Sequence, residues 1–220
     1  MSSTLVKVCG LTRRGDVLAA AKAGVDYLGV VSVPESPRFR TPRQARNLTE
    51  GVGTPLVMVI ADQALEACVE AGRLSGAGVI QLHGRESPEL VGCLAEEGPW
   101  RVWKAIRMRE PDDLKRGLDR YGARVSGLLL DGWHPHRKGG TGVRFAWDEV
   151  AALRDSVPPK TLLGIAGGLS PENVLEAVGA LRPDLVDVSS GVEVDPGRKS
   201  HARIREFVQQ VRDAGGGVIQ

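Results

Sequence analysis

The chain of 220 residues suits one folded unit with a sizeable core. Its 29 Lys and Arg against 27 Asp and Glu leave a net charge of +2 with the signs interspersed, which argues against a nucleic-acid surface and still favours a small anionic ligand. Cys9, Cys68 and Cys93 form neither a disulfide framework nor a short metal-ligand spacing, and no signal sequence or membrane-length apolar run is present, so the expectation is a cytoplasmic protein with no membrane partner.

Reading in chain order, Leu5–Cys9 is a short apolar run stopping at Gly10, and Thr12 opens a helix-like segment that ends at Gly24. Tyr27–Val33 is the second run, after which Thr41-Pro42 reads as an N-cap followed by Pro at the first helical position. Pro55–Ile60 and Gly78–Leu82 come next, and Ser87-Pro88 repeats the cap signal. Val102–Ile106 and Gly127–Leu130 precede Thr161–Ala166, which is followed by a third cap-like segment, Ser170-Pro171-Glu172-Asn173. Leu185–Ser189 is the last run, and His201–Arg212 is a closing helix ending at Gly215. The runs are rich in Val, Ile and Leu, as strands buried on both faces are. Eight strand–helix units repeating every roughly 25–30 residues predict a single (β/α)8 barrel domain over residues 1–220. The alternative is an open doubly wound sheet, but Cys9-Gly10-Leu11-Thr12 lacks the G-x-G-x-x-G turn of a dinucleotide site.

In such barrels the chemistry sits beyond the C-terminal ends of the strands. Cys9, His83, Asp131 and the pair Ser189-Ser190 fall there. Gly164–Ser170, with Gly167 and Gly168, and Asp187–Glu193, with Ser190 and Gly191, follow the last two strands. Glycines let backbone N–H groups converge on an anion, so these two loops suit a phosphate, although each could serve only as a tight turn. Gly139-Gly140-Thr141-Gly142 reads as a loop able to close over a ligand, or as a plain connection. His134 and His136 lack a carboxylate partner for a metal site. Cys68, Cys93 and the four Trp are expected to pack.

Lys7-Val-Cys9-Gly10-Leu-Thr12, Ser36-Pro37-Arg38, Gln81-Leu-His83-Gly84, Gly139-Gly-Thr-Gly142, Ala166-Gly-Gly-Leu169 and Ser189-Ser-Gly-Val-Glu193 run through nearly the whole chain. In this order and spacing they resemble phosphoribosylanthranilate isomerase of tryptophan biosynthesis. The resemblance implies a (β/α)8 barrel that performs an Amadori rearrangement on a small phosphorylated substrate, without metal or organic cofactor, as a monomer or a homodimer. It implies Cys9 as general base, Asp131 as general acid, Arg38 on the anthranilate carboxylate, and the two Gly-rich loops on the phosphate. His83 would contact substrate or fix a loop. Three places depart from the family's pattern: Gly29-Val-Val-Ser32 where aromatic residues are usual, Gly132-Trp133 where Thr or Ser is usual after the acid, and Lys199-Ser200 for the common Lys-Asp.

Cys9 must act as a thiolate, although a free thiol titrates near ~8.5. Strand alternation points Lys7 and Cys9 to the same interior face, and Asp187 inward from the strand that would adjoin the first. Lys7 could therefore stabilise the Cys9 thiolate or pair with Asp187 as a structural plug. The plug is favoured because a lone interior charge is costly. The enzyme alternatives are the histidine-pathway aminoaldose isomerase, which uses two Asp residues, and a metal-dependent pentose-phosphate epimerase. A silent phosphate-binding barrel is the non-catalytic one.

Overall fold

The computed structural model describes residues 4–132 and 151–216. Eight strands alternate with helices: β1 Leu5–Val8, α1 Arg14–Lys22, β2 Tyr27–Val31, α2 Pro42–Thr49, β3 Leu56–Ile60, α3 Leu65–Ser75, β4 Val79–Leu82, α4 Pro88–Glu96 and β5 Arg101–Met108. The order continues with α5 Asp112–Tyr121, β6 Gly127–Gly132, β7 Leu162–Ala166, α6 Val174–Leu181 and β8 Leu185–Val188. A short antiparallel hairpin, β9 Glu193–Asp195 with β10 Arg198–Lys199, precedes the last helix, α7 His201–Gly216. β1 to β8 pair in parallel with their neighbours, and β8 pairs with β1, so the sheet is a closed barrel and the open-sheet alternative is removed.

Closure explains the continuous apolar runs. Even-numbered positions of the first strands, such as Val6, Val8, Leu28, Val30, Met58 and Ile80, pack outward against the helices. Alternate positions fill the barrel with Tyr27, Val57, Val59, Val79, Trp103, Ala105, Leu129 and Leu185. The Tyr27 and Trp103 rings meet edge to face with centroids 4.9 Å apart. Gly127 stands beside this pair, where a Cβ would lie 2.8 Å from the Trp103 ring.

Two of the cap signals act as read. The Thr41 hydroxyl accepts from the Gln44 amide, the Gln44 side chain accepts from the Thr41 amide, and Pro42 follows. Ser87 accepts from the Leu90 amide, with Pro88 next. The third signal misleads, because α6 starts at Val174 rather than at Pro171. Asn173 accepts from the Ser170 amide and donates to the Gly168 carbonyl, so its side chain folds residues 170–173 into a turn before the helix begins. Cys68 is buried as expected, whereas Cys93 lies exposed on α4 and is not a packing residue. Trp100 and Trp103 are buried; Trp133 and Trp147 lie outside the described residues.

Candidate active site

Cys9 follows β1 directly, and its amide donates to the Val188 carbonyl of β8 at 2.8 Å, which fixes the thiol at the barrel mouth. Gly29 on β2 makes room for it. A Cβ there would lie 2.9 Å from the Cys9 Sγ and Cα and from the Lys7 Cε. The absence of a larger residue at this point of Gly29–Ser32 is therefore a packing requirement of Cys9 and Lys7.

Lys7 and Asp187 stand opposite each other in the β1–β8 register and form a buried ion pair at 2.6 Å. Lys7 also lies beside Cys9, both bordering Gly29, so its charge acts on the thiol as well as on Asp187. Burial opposes the Lys7 charge, but Asp187 and Cys9 outweigh burial and hold its pKa up. Burial pushes the Cys9 thiol up, Lys7 pulls it back, and Asp187 adds to the rise; the net direction is upward. The Asp187 carboxyl is also raised, chiefly by burial against the opposing pull of Lys7, and its Oδ1 has no hydrogen-bond partner among the described residues.

Asp131 lies inside β6, which runs past the apolar residues to Gly132, and is paired in register with Arg107 and Ala166. Its Oδ2 is 3.1 Å from His83 Nε2, and His83 Nδ1 is 3.3 Å from Gln81 Nε2. With the Gln81 amide donating to Nδ1, His83 offers its Nε2–H to Asp131. Gln81 has the same parity on β4 as His83, and that alternation is the one sequence signal for its place beside the imidazole. Gly167 closes on Asp131 from β7. It has a φ of +87°, and a Cβ there would sit 2.8 Å from Asp131 Oδ1.

The two Gly-rich loops meet. Gly168 also has a positive φ of 73°, and a Cβ on Gly191 would collide with the Leu169 carbonyl oxygen. Ser190–Val192 forms a short 3₁₀ turn after β8. Among the described residues, the Gly167 and Gly168 amides donate to no protein acceptor, as a cradle for an anion requires. Glu193, at the end of the second loop, turns away to different partners. Arg38 gives its Nε and Nη2 to Glu193 at 2.8 and 2.5 Å, and the buried Lys199 gives its Nζ at 2.7 Å. Arg38 is thus an ion-paired side chain of the mouth rather than a solvated surface group. It crosses Gly10, whose φ is +73° and whose Cβ would collide with the Arg38 Cδ. Ser200 caps α7, its hydroxyl accepting from the Arg203 amide at 3.3 Å, a task its Asp counterpart could equally perform. Among the described residues no cluster of His, Cys, Asp and Glu could hold a metal ion, and no helix is long and apolar enough to cross a membrane. Gly139–Gly142, His134 and His136 lie outside the described residues.

A closed parallel barrel with its ionisable groups gathered at the C-terminal ends of β1, β4 and β6 defines a (β/α)8-barrel enzyme. The family model described as N-(5'-phosphoribosyl)anthranilate (PRA) isomerase matches residues 6–210. The chain belongs to that isomerase family. A relative from Synechococcus sp. (strain JA-3-3Ab), named N-(5'-phosphoribosyl)anthranilate isomerase, is 42% identical over 98% of this chain and 94% of its own. One of the same name from Geobacter sp. (strain M21) is 39% identical over 95% and 98%. The crystal structure of phosphoribosyl anthranilate isomerase from Thermotoga maritima superposes with a TM-score of 0.86 at 34% identity, covering 96% of this chain and 99% of that one. A solved structure of the enzyme in complex with reduced 1-(o-carboxyphenylamino)-1-deoxyribulose 5-phosphate gives a TM-score of 0.84 at 32% identity, with the same shares covered.

Proposed function

We propose that this chain, as a single barrel domain in the cytoplasm, converts N-(5'-phosphoribosyl)anthranilate into 1-(2-carboxyphenylamino)-1-deoxyribulose 5-phosphate, with Cys9 as base and Asp131 as acid. The observation that carries this assignment is the pairing of a thiol at the end of β1 with a carboxylate on β6 at one barrel mouth, beside two loops that offer backbone N–H groups.

The reaction divides between the two groups. Protonation of the furanose ring oxygen by Asp131 breaks the C1′–O bond and leaves an iminium. Removal of the C2′ proton by the Cys9 thiolate gives an enolamine, which tautomerises to the ketone. The chemistry needs no electron acceptor and no organic cofactor. Acid and base groups of this kind contribute about 10²–10⁴-fold each. To serve as the general acid, Asp131 donates its proton to the ring oxygen and recovers it when the enolamine tautomerises. Phosphate bound at Gly167, Gly168, Ser190 and Gly191 would place the sugar between acid and base, and Arg38 would receive the anthranilate carboxylate.

The test is Asp131→Asn, assayed for turnover and for affinity toward the reduced product analogue. The proposal predicts loss of turnover by about 10²-fold or more with analogue affinity kept within a few-fold. Near-normal turnover would remove Asp131 from the acid role.

A further inference from the structure

The sequence places Glu193 at the end of a loop suited to phosphate, yet its carboxylate is taken up by protein donors. It is nearly buried, with 5% side-chain exposure, and accepts from Arg38 Nε at 2.8 Å, Arg38 Nη2 at 2.5 Å, Lys199 Nζ at 2.7 Å and the Gly197 amide at 3.2 Å. Burial works against its ionisation, but the Arg38 and Lys199 hydrogen bonds and charges outweigh it and hold the carboxyl below its ordinary range. Lys199 spends its other hydrogens on the Ser189 carbonyl and hydroxyl oxygens at 3.0 and 3.4 Å. It therefore anchors Glu193 to the end of β8 and leaves no donor for a ligand.

Arg38 is not exhausted in this way. A guanidinium is a planar fork with more than one bidentate edge. Glu193 occupies the edge formed by Nε and Nη2. The edge formed by Nη1 and the second Nη2 hydrogen remains, and Nη1 has no partner among the described residues. The side chain passes directly over Gly10, next to Cys9, and is 21% exposed. An arginine held by one edge in a buried bidentate pair cannot rotate freely, so the direction of its open edge is set before any ligand arrives.

We infer that Glu193 is a specificity-determining positioning residue: it clamps the Nε/Nη2 edge of Arg38 so that the Nη1/Nη2 edge faces the carboxylate of the substrate's aryl ring. This rests on the reaction proposed above. Glu193 touches no substrate atom; it acts through Arg38, with Lys199 and the β9–β10 hairpin as its mount.

The experiment compares kcat and KM for N-(5'-phosphoribosyl)anthranilate and for N-(5'-phosphoribosyl)aniline, which lacks only the carboxylate. The full-length wild-type chain, Glu193→Gln and Glu193→Asp are measured. The wild type should prefer the carboxylated substrate. Glu193→Gln should reduce that preference about tenfold or more, the scale of one charge-assisted hydrogen bond, mainly through KM for the carboxylated substrate. Glu193→Asp keeps the charge but withdraws the carboxylate by one methylene, and should lose preference in the same way; it carries the test if the Gln variant does not fold. An equal proportional loss on both substrates, or an unchanged preference, would overturn the inference and leave Glu193 a structural residue. A wild type active on both without preference would overturn it while the isomerase reading stands. A wild type inactive on both would refute that reading and this inference with it.

Discussion

Cys9 is asked to act as a base from a buried position that favours its protonated form. Lys7 and Asp187 act on it with opposite sign. Removing the Asp187 charge leaves the Lys7 ammonium facing the thiol alone, so Asp187→Asn should lower the Cys9 pKa. Lys7→Met removes the cation that favours the thiolate and should raise it further. Alkylation rates at Cys9, resolved by mass spectrometry from those of exposed Cys93 across a pH series, check both directions. A midpoint that stays put in both variants would mean that the pair is only a plug. At this scale the sequence was readable where alternation governs: Lys7 and Cys9 share a face, and Asp187 faces them across a strand pair. Gly29 and Glu193 were opaque because each acts through residues distant in the chain. Gly29 accommodates Cys9 and Lys7, and Glu193 reaches back 155 positions to Arg38.

The two loops after β7 and β8 act as one element, because Gly191 lies too close to the Leu169 carbonyl for any side chain. Gly191→Ala must push the loops apart, a change of about 1–3 kcal/mol for an overpacked contact. Inorganic phosphate should then inhibit the variant roughly tenfold less well than the wild type; equal inhibition would show that the loops do not form the anion site. Elements whose ends are set locally were legible, as with the Thr41 capping box and the Ser87 cap. α6 was not, because the Asn173 side chain redirects the segment that Ser170-Pro171 seemed to open. The β9–β10 hairpin is not legible because its strands are only three and two residues long and its anchor, Thr12, which donates to the Gly197 carbonyl, is distant in the chain.

The barrel closes where β1 meets β8, and the Lys7–Asp187 pair spans that seam between residues 180 positions apart. Breaking a buried pair leaves one charge uncompensated and costs about 3–5 kcal/mol, whereas replacing both members by apolar groups is often near neutral. Lys7→Met should therefore lower the denaturant midpoint clearly, and Lys7→Met with Asp187→Leu should recover most of the loss. An additive further loss in the double variant would exclude this account of closure. The eight strand–helix units were readable from apolar runs that alternate with helix signals, but an open sheet buries both faces of its strands as well, and only the β1–β8 pairing decides for closure. Which side chains meet at the mouth was not readable either, because that depends on the register between strands.

The central claim is that this barrel isomerises N-(5'-phosphoribosyl)anthranilate through Cys9. The most direct measurement follows the loss of anthranilate-type fluorescence when freshly prepared substrate is mixed with wild type or with Cys9→Ala, against the spontaneous rate. The account predicts rapid loss with the wild type and, in the variant, a rate lower by about 10²-fold or more. No loss above background from folded wild-type protein would contradict the reaction, and near-normal loss with Cys9→Ala would contradict the base.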